Sequence, residues 1–220
     1  MKDVEVIICT RNRRQKLLRT IKTVPVMVSG VPVKITVVCD GDAETALYAI
    51  GMSQVSKVIF LREHLGQVVG RNVAIQASRD AVLYATDDIE FQPGSIDVAV
   101  LAFVRKFPDG DGVVGFNQVN HTKFSKTGVA LVGHRFVCRY PEKQLFYPGY
   151  YHFACQEIER AAVSLGKFVF CEAATLIHHH PSQEAGEVDD THYEARKFKT
   201  IDRKLSNVRL RSGLTWGVNG

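Results

Sequence analysis

Apolar residues fall along this chain in short runs that alternate with segments of helical spacing. Val4-Glu5-Val6-Ile7-Ile8-Cys9 has strand character and ends in the polar loop Thr10-Arg11-Asn12. Arg14 to Val24 follows, with Leu17, Leu18, Ile21 and Val24 at the spacing of one helix face. Val33 to Cys39 predicts a second strand, stopped by the turn signal Asp40-Gly41-Asp42. A helix over 43–50, a strand over 57–61 and a helix over 68–78 lead to Val82-Leu83-Tyr84-Ala85-Thr86-Asp87-Asp88, a strand that ends in two carboxylates shortly before Pro93. Strands alternating with helices predict right-handed βαβ units, hence an α/β fold with a mostly parallel, Rossmann-like sheet covered by helices on both faces.

The later pattern is different. Gly112 to Asn117 and Val129 to Gly133 predict strands of antiparallel character, a smaller portion beside the parallel sheet. The aromatic loop from Phe146 to Phe153 precedes a helix over 156–165, closed by Gly166. Two short strands follow, at 168–170 and 174–177, the second ending in His178-His179-His180-Pro181. Consecutive strand residues alternate faces, so only His178 and His180 of this run converge. No linker separates the halves, which predicts one domain over 1–181 and a basic helical extension over 182–220.

Composition narrows the class. With 220 residues, 45% of them hydrophobic, the chain is long enough for one well-buried core. Five cysteines without CxxC spacing predict reduced core thiols rather than a disulfide scaffold or zinc ribbon. The start, Met1-Lys2-Asp3, has no apolar leader segment, and no apolar run approaches the roughly 20 residues of a membrane span. The expectation is a cytoplasmic protein. A net charge of +5 is unevenly spread, with basic groups at 11–22 and 196–211 that suit an anionic partner.

Carboxylates at the C-terminal end of a buried strand lie where open α/β sheets bind ligands. Two together repel, so Asp87-Asp88 suits a divalent cation or strong donors, with a solvated turn as the plainer alternative.

In order along the chain, Val6 to Arg13, Val37 to Asp42, Gly66 to Asn72 and Thr86-Asp87-Asp88 resemble motifs of family-2-type glycosyltransferases of the GT-A fold. Respectively they are similar to the Thr-x-Asn-Arg loop, the Val-Asp-Asp-Gly-Ser signature, the Ala-Arg-Asn helix start and the Asp-x-Asp motif. Thr86 stands where the commonest motif has its first aspartate, and Asp42 where serine is usual. The likeness spans about Val4 to Pro181, and the later part is similar to small phage and bacterial members. It implies a nucleotide-sugar donor, a UDP-sugar favoured, and Mn²⁺ or Mg²⁺. Thr10 and Arg11 would line the nucleotide pocket, Asp40 would accept from the base, and Arg71 would stabilise base or diphosphate. Asp87 would hold the ribose, while Asp88, with His178, would bind the metal. Of the acids on the acceptor-side helix, where Cys155 replaces one family acid, Glu157 would be the catalytic base and Glu159 a surface charge.

Two other functions compete. A nucleotidyltransferase also uses carboxylate-bound Mg²⁺, but the loop after the first strand lacks the glycines of a phosphate cradle. A non-catalytic nucleic-acid-binding domain would explain the basic clusters but not the carboxylates. The acceptor stays open between a carbohydrate, a protein, a lipid-linked sugar and a hydroxymethylated DNA base. The basic tail suits a polyanionic acceptor or an acidic membrane surface.

Overall fold

The computed structural model describes residues 1–78, 81–120, 124–152, 154–180 and 188–219. The first half runs β1 (Val4–Thr10), α1 (Arg14–Lys22), β2 (Met27–Val28), β3 (Val31–Asp40), α2 (Ala43–Ile50), β4 (Lys57–Leu61), α3 (Gln67–Ala77), β5 (Ala81–Thr86), β6 (Ile89–Phe91) and α4 (Ser95–Lys106). The second half adds β7 (Val113–Gln118), β8 (Ala130–Val132), α5 (His134–Val137), α6 (Cys155–Ser164), β9 (Phe168–His178) and α7 (Asp190–Arg211).

β4, β3, β1 and β5 lie side by side and parallel, with β1 pairing Val4 to Val33 on one flank and to Ala81 on the other. The expected parallel half is therefore present. Beyond β5 the sheet turns mixed: β8 is antiparallel to β5 and β7, β9 is parallel to β7, and β6 is antiparallel to β9. Strand alternation sends the residues of β1 to opposite faces. Val6 and Ile8 join a core under α1, α2 and α4 that contains Leu17, Ala46 and Phe103. Ile7 joins a second core with Val68, Ile75, Phe136 and Ile158 under α3, α5 and α6.

Three expectations change in detail. The helix from Arg14 ends at Lys22, because Val24 precedes Pro25 and that position disfavours helical backbone. The two short strands at 168–177 are one strand, β9, whose register against β7 jumps so that Phe116 pairs with Cys171 but Asn117 with Thr175. The bulge re-aims the end of β9 toward β6, where His178 pairs with Ile89. The third concerns the extension. Its boundary at Pro181 and residue 182 lies outside the described residues, as does Phe153, but the helix itself does not stand apart from the domain.

α7 docks. Asp202 accepts from the backbone N–H groups of Tyr151 (3.2 Å) and His152 (2.7 Å), and the Tyr151 and Phe198 rings stack with centroids 3.8 Å apart. Asp202, Ser206 and Arg209 are buried, so the basic tail does not keep all its charged groups in solvent. Gly66, just before α3, has φ +88°, and a Cβ there would lie 2.7 Å from the Tyr151 ring. Only glycine admits both that backbone conformation and that close approach.

Candidate functional site

β5 stops at Thr86, and the next two residues turn at the sheet edge beside the end of β1. This brings Thr10 Oγ1 within 2.7 Å of Asp87 Oδ2, to which it donates. Arg13 Nη1 lies 3.0 Å from Asp87 Oδ1 and 3.6 Å from Asp88 Oδ2. α1 fixes the far side of the turn: Thr20 Oγ1 donates to Ile89 O at 2.7 Å. Both aspartates are buried. Burial pushes the Asp87 carboxyl up to about 6 against the pull of Arg13. Burial also acts on Asp88, but the His178 ring and Arg13 outweigh it and hold that carboxyl well below the usual range. The two adjacent acids are thus shifted in opposite directions.

The β6–β9 pairing places the end of β9 beside Asp88, and His179 N–H donates to Asp88 O at 2.8 Å. His178 Nε2 is 3.3 Å from Asp88 Oδ1, while its Nδ1 is 2.9 Å from Gln118 Oε1. The expected alternation holds: His179 turns to Glu90 (3.0 Å), and the His180 ring lies 5.5 Å from the His178 ring. The His180 ring is also 5.5 Å from the ring of His192 on α7, a histidine outside the motifs read from the sequence.

Asp40 is held from three sides. Leu65 N–H donates to Oδ1 at 2.7 Å, Gly66 N–H donates to Oδ2 at 2.9 Å, and His64 Nδ1 is 2.6 Å from Oδ2. His64 Nε2 faces the Tyr151 hydroxyl and, at 3.1 Å, Glu194 Oε2. Glu194 in turn lies 3.6 Å from Arg11 Nη2. Asp42, in place of the usual serine, caps α2 by accepting from Thr45 N–H (3.0 Å) and also accepts from Asn12 N–H (2.7 Å), so it shapes the β1 loop.

Arg71 sits inside the second core, 2% exposed, with its guanidinium 5.5 Å from the Tyr84 ring centre and 5.4 Å from that of Phe146. It donates to Ala85 O at 3.4 Å, and its Nε has no hydrogen-bond partner among the described residues. Among the described residues no carboxylate pairs with it, and a buried guanidinium in that state favours an anion. Cys155 Sγ is 3.9 Å from Arg71 Nη1, and burial pushes that thiol up, so it is a neutral neighbour and not a base.

Thr10, Arg13, Asp87, Asp88 and His178 come together, with Asp40 and Arg11 joined through the adjacent His64–Glu194 network. Glu157 does not join them. Its carboxylate is 3% exposed, accepts from Arg209 Nε (3.1 Å) and Nη2 (2.9 Å), and accepts from Trp216 N–H (2.8 Å). Glu157, expected as the catalytic base, is engaged here as an anchor for the C-terminal helix. Glu159 accepts from Ser125 Oγ (3.2 Å) and Lys126 N–H (3.1 Å), so it braces a loop.

The residues that sequence reasoning missed are Arg13, His64, Tyr151, Asp189, His192 and Glu194. Arg13 was visible in the Thr-x-Asn-Arg loop. Asp189 three residues before His192 carried only the signal of a helix start.

Among the described residues no three His, Cys, Asp or Glu side chains already converge as a metal cage. Asp88 and His178 nevertheless fit a divalent cation. Asp88 Oδ1 is buried with no hydrogen-bond partner, and an imidazole nitrogen faces it. One or two protein ligands completed by donor phosphates is the usual arrangement for such ions. No described helix is long and apolar enough to cross a membrane.

No family model matches the sequence, and no curated protein matches it. Solved structures do match in fold. TarS 1–349 of S. aureus in complex with UDP-GlcNAc is similar over 87% of this chain and 64% of that one, with 13% identity and a TM-score of 0.63. GalNAc-T7 with UDP, GalNAc and Mn²⁺ is similar over 85% and 45%, with 13% identity and a TM-score of 0.64. The mannosyltransferase PcManGT from Pyrobaculum calidifontis, with GDP-Man and Mn²⁺, is similar over 83% and 58%, with 12% identity and a TM-score of 0.64. The chain spans between 35% and 64% of the length of these and other TarS chains. The fold is that of the GT-A glycosyltransferases.

Proposed function

We propose that this chain is a metal-dependent glycosyltransferase that moves a sugar from a nucleotide-diphosphate sugar, a UDP-sugar favoured, to an acceptor hydroxyl with inversion. The observation that carries this reading is the buried Asp87–Asp88 pair at the end of β5, with Thr10 and Arg13 on one side and His178 on the other.

Asp88 and His178 would hold Mn²⁺ or Mg²⁺, which when bound neutralises the diphosphate and stabilises it as a leaving group. Asp87, oriented by Thr10, takes the ribose hydroxyls. The Oδ1 of Asp40 has one donor, Leu65 N–H, and keeps a lone pair for a base N–H. Arg11 and Arg71 supply fixed positive charge to the nucleotide. Glu157 enters only as support, through Arg209 and the docking of α7.

On α7, Arg196, Lys197, Lys199, Arg203, Lys204 and Arg211 are exposed, and none forms an ion pair with a described residue. That stripe supports a polyanionic acceptor or an acidic membrane surface. A cytoplasmic location belongs to the same proposal.

The test is a donor panel scored by nucleotide release, with and without chelator, since slow donor hydrolysis needs no acceptor. Metal-dependent release from one UDP-sugar supports the reading. Release from none, together with pyrophosphate formation from nucleoside triphosphates, would replace it with nucleotidyl transfer.

A further inference from the structure

We infer that this chain forms a two-fold dimer in which β4 pairs antiparallel with β4 of a second copy, centred on Phe60. Nothing in this depends on which nucleotide or sugar the chain uses.

β4 is an edge strand: among the described residues it pairs with β3 alone. One bond fixes its free side. Gly41 N–H donates to Leu61 O at 3.0 Å, so the backbone of Leu61 faces β3. Backbone groups alternate sides along a strand, so Lys57 and Ile59 face β3 as well. Val58, Phe60 and Arg62 then present their N–H and C=O groups outward. Such an edge is a template for another strand unless proline, a bulge or an inward charge guards it. Lys57-Val58-Ile59-Phe60-Leu61 contains no proline, its register against β3 is unbroken, and no charge interrupts Val58 to Leu61.

The surface beside this edge is apolar. Phe60 is 45% exposed, and Ile50 on α2 is 67% exposed. Val58 packs into the core under α2, so Phe60, two residues on, lies on the same face of the sheet. On α2, Ala46 and Ala49 turn to the sheet, and the Tyr48 ring turns to Arg14 of α1 at 4.8 Å. Helical spacing leaves Ile50 on the opposite flank, nearer β4.

The charge pattern commits the edge to a second copy. Lys57 and Glu63 are exposed, form no ion pair with a described residue, and stand three positions before and three after Phe60. A two-fold axis at Phe60 places Lys57 of each copy opposite Glu63 of the partner subunit. The same register places Phe60 opposite Phe60, Ile59 opposite Leu61, and the outward groups of Val58 opposite those of Arg62. Centred on Ile59 instead, Lys57 would face Leu61 and both ion pairs would be lost. Opposite charges and aromatic pairs across strands favour pairing, and the symmetry makes every such contact twice. The axis is perpendicular to the sheet, so both α2 helices lie on the face that carries the paired Phe60 rings. Beyond Glu63 the chain runs into His64, Leu65 and Gly66, which hold Asp40, so pairing also braces that segment.

The experiment is sedimentation velocity of the full chain over a concentration series, with amide exchange measured in parallel. The wild-type chain should dimerise, and the Val58, Phe60 and Arg62 amides should gain protection as the dimer fills. Phe60→Asp puts two like charges at the axis and should give a monomer. Lys57→Glu or Glu63→Lys alone should weaken the dimer about tenfold or more, and the double variant should return it nearly to the wild-type affinity. Lys57 and Glu63 are exposed, so these variants keep the fold and carry the test even if Phe60→Asp disturbs it. A wild-type chain that stays monomeric at about 0.1 mM overturns the inference. So does a dimer indifferent to the single charge reversals, or a double variant that dimerises no better than either single one.

Discussion

Arg13 and Asp189, 176 residues apart in sequence, form a two-point ion pair: Nε donates to Oδ2 at 2.9 Å and Nη2 to Oδ1 at 2.8 Å. Lys16 Nζ adds a third contact to Asp189 at 2.6 Å. The same guanidinium reaches Asp87, so the start of α7 is tied directly to the carboxylate edge of the sheet. Asp189→Ala removes these charge-assisted bonds and the helix cap together. A loss of roughly 1–3 kcal/mol is expected, read as a lower urea midpoint and faster amide exchange at the start of α7. An unchanged midpoint would mean that the pair contributes no net stability.

Glu157 and Arg209 separate anchoring from catalysis. Removing one partner of a buried pair leaves the other charge stranded, at a cost of about 3–5 kcal/mol. Glu157→Ala should therefore lower the denaturation midpoint markedly, and Arg209→Ala should do the same. If Glu157→Gln instead lost about 10²–10⁴-fold in kcat with unchanged stability and donor affinity, Glu157 would be the base after all.

For the nucleotide, Asp88→Ala should abolish the metal-dependent part of UDP affinity in calorimetry while leaving the fold intact. Asp40→Ala should weaken uridine as well as UDP, because its partner is the base. Equal uridine binding by wild type and Asp40→Ala would place the base elsewhere.

His152 adds a pH dependence. Burial, reinforced by the positive charge of Arg71, depresses its imidazole from 6.5 to about 4, against the pull of Asp202. Lys199 and His180 act in the same direction as Arg71, and Gln67 Nε2 packs against the ring. The unfolded chain therefore binds the proton more readily than the folded one. The contribution of His152 is present above about 6.5 and is lost as pH falls toward 4. His152→Gln should flatten the decline in stability across that window, measured by urea unfolding at several pH values.

The exposed stripe on α7 is best tested by charge and not by truncation, since truncation would also remove Arg209 and Asp202. Lys197→Glu with Lys204→Glu should weaken binding to a polyanion and reduce its salt dependence. Donor hydrolysis should persist. Salt-independent acceptor use by the wild-type chain would deny the stripe any electrostatic role.

The strands and helices of the first half were legible because their information is local. In β1, β3 and β5 the apolar runs end in polar residues, and Asp40-Gly41-Asp42 announces its own turn. α4 carries the same local signal, with Ile96, Ala99, Val100 and Phe103 at helical spacing behind Pro93-Gly94. Carboxylates at a strand end likewise mark a ligand edge without any knowledge of their partners.

What tertiary structure alone decided are the pairings across long sequence separation. Glu157 and Glu159 look alike on a helix, and only the arrival of Arg209 and of the Ser125–Lys126 loop shows that each is already engaged. The tail looked like a solvated basic helix because its exposed face carries most of its charge. Its fully buried residues are Asp202, Ser206 and Arg209, and with only Phe198 and Leu205 packed beside them the polar positions obscure any apolar periodicity. His192 has no motif around it, yet docking brings it 4.0 Å from Asp88. Sequence by itself determined the local elements and the edge where chemistry can occur, since hydrophobic period and turn chemistry act over a few residues. Which charges meet at that edge was settled by packing, because an ion pair over 176 residues leaves no trace in the neighbours of either partner.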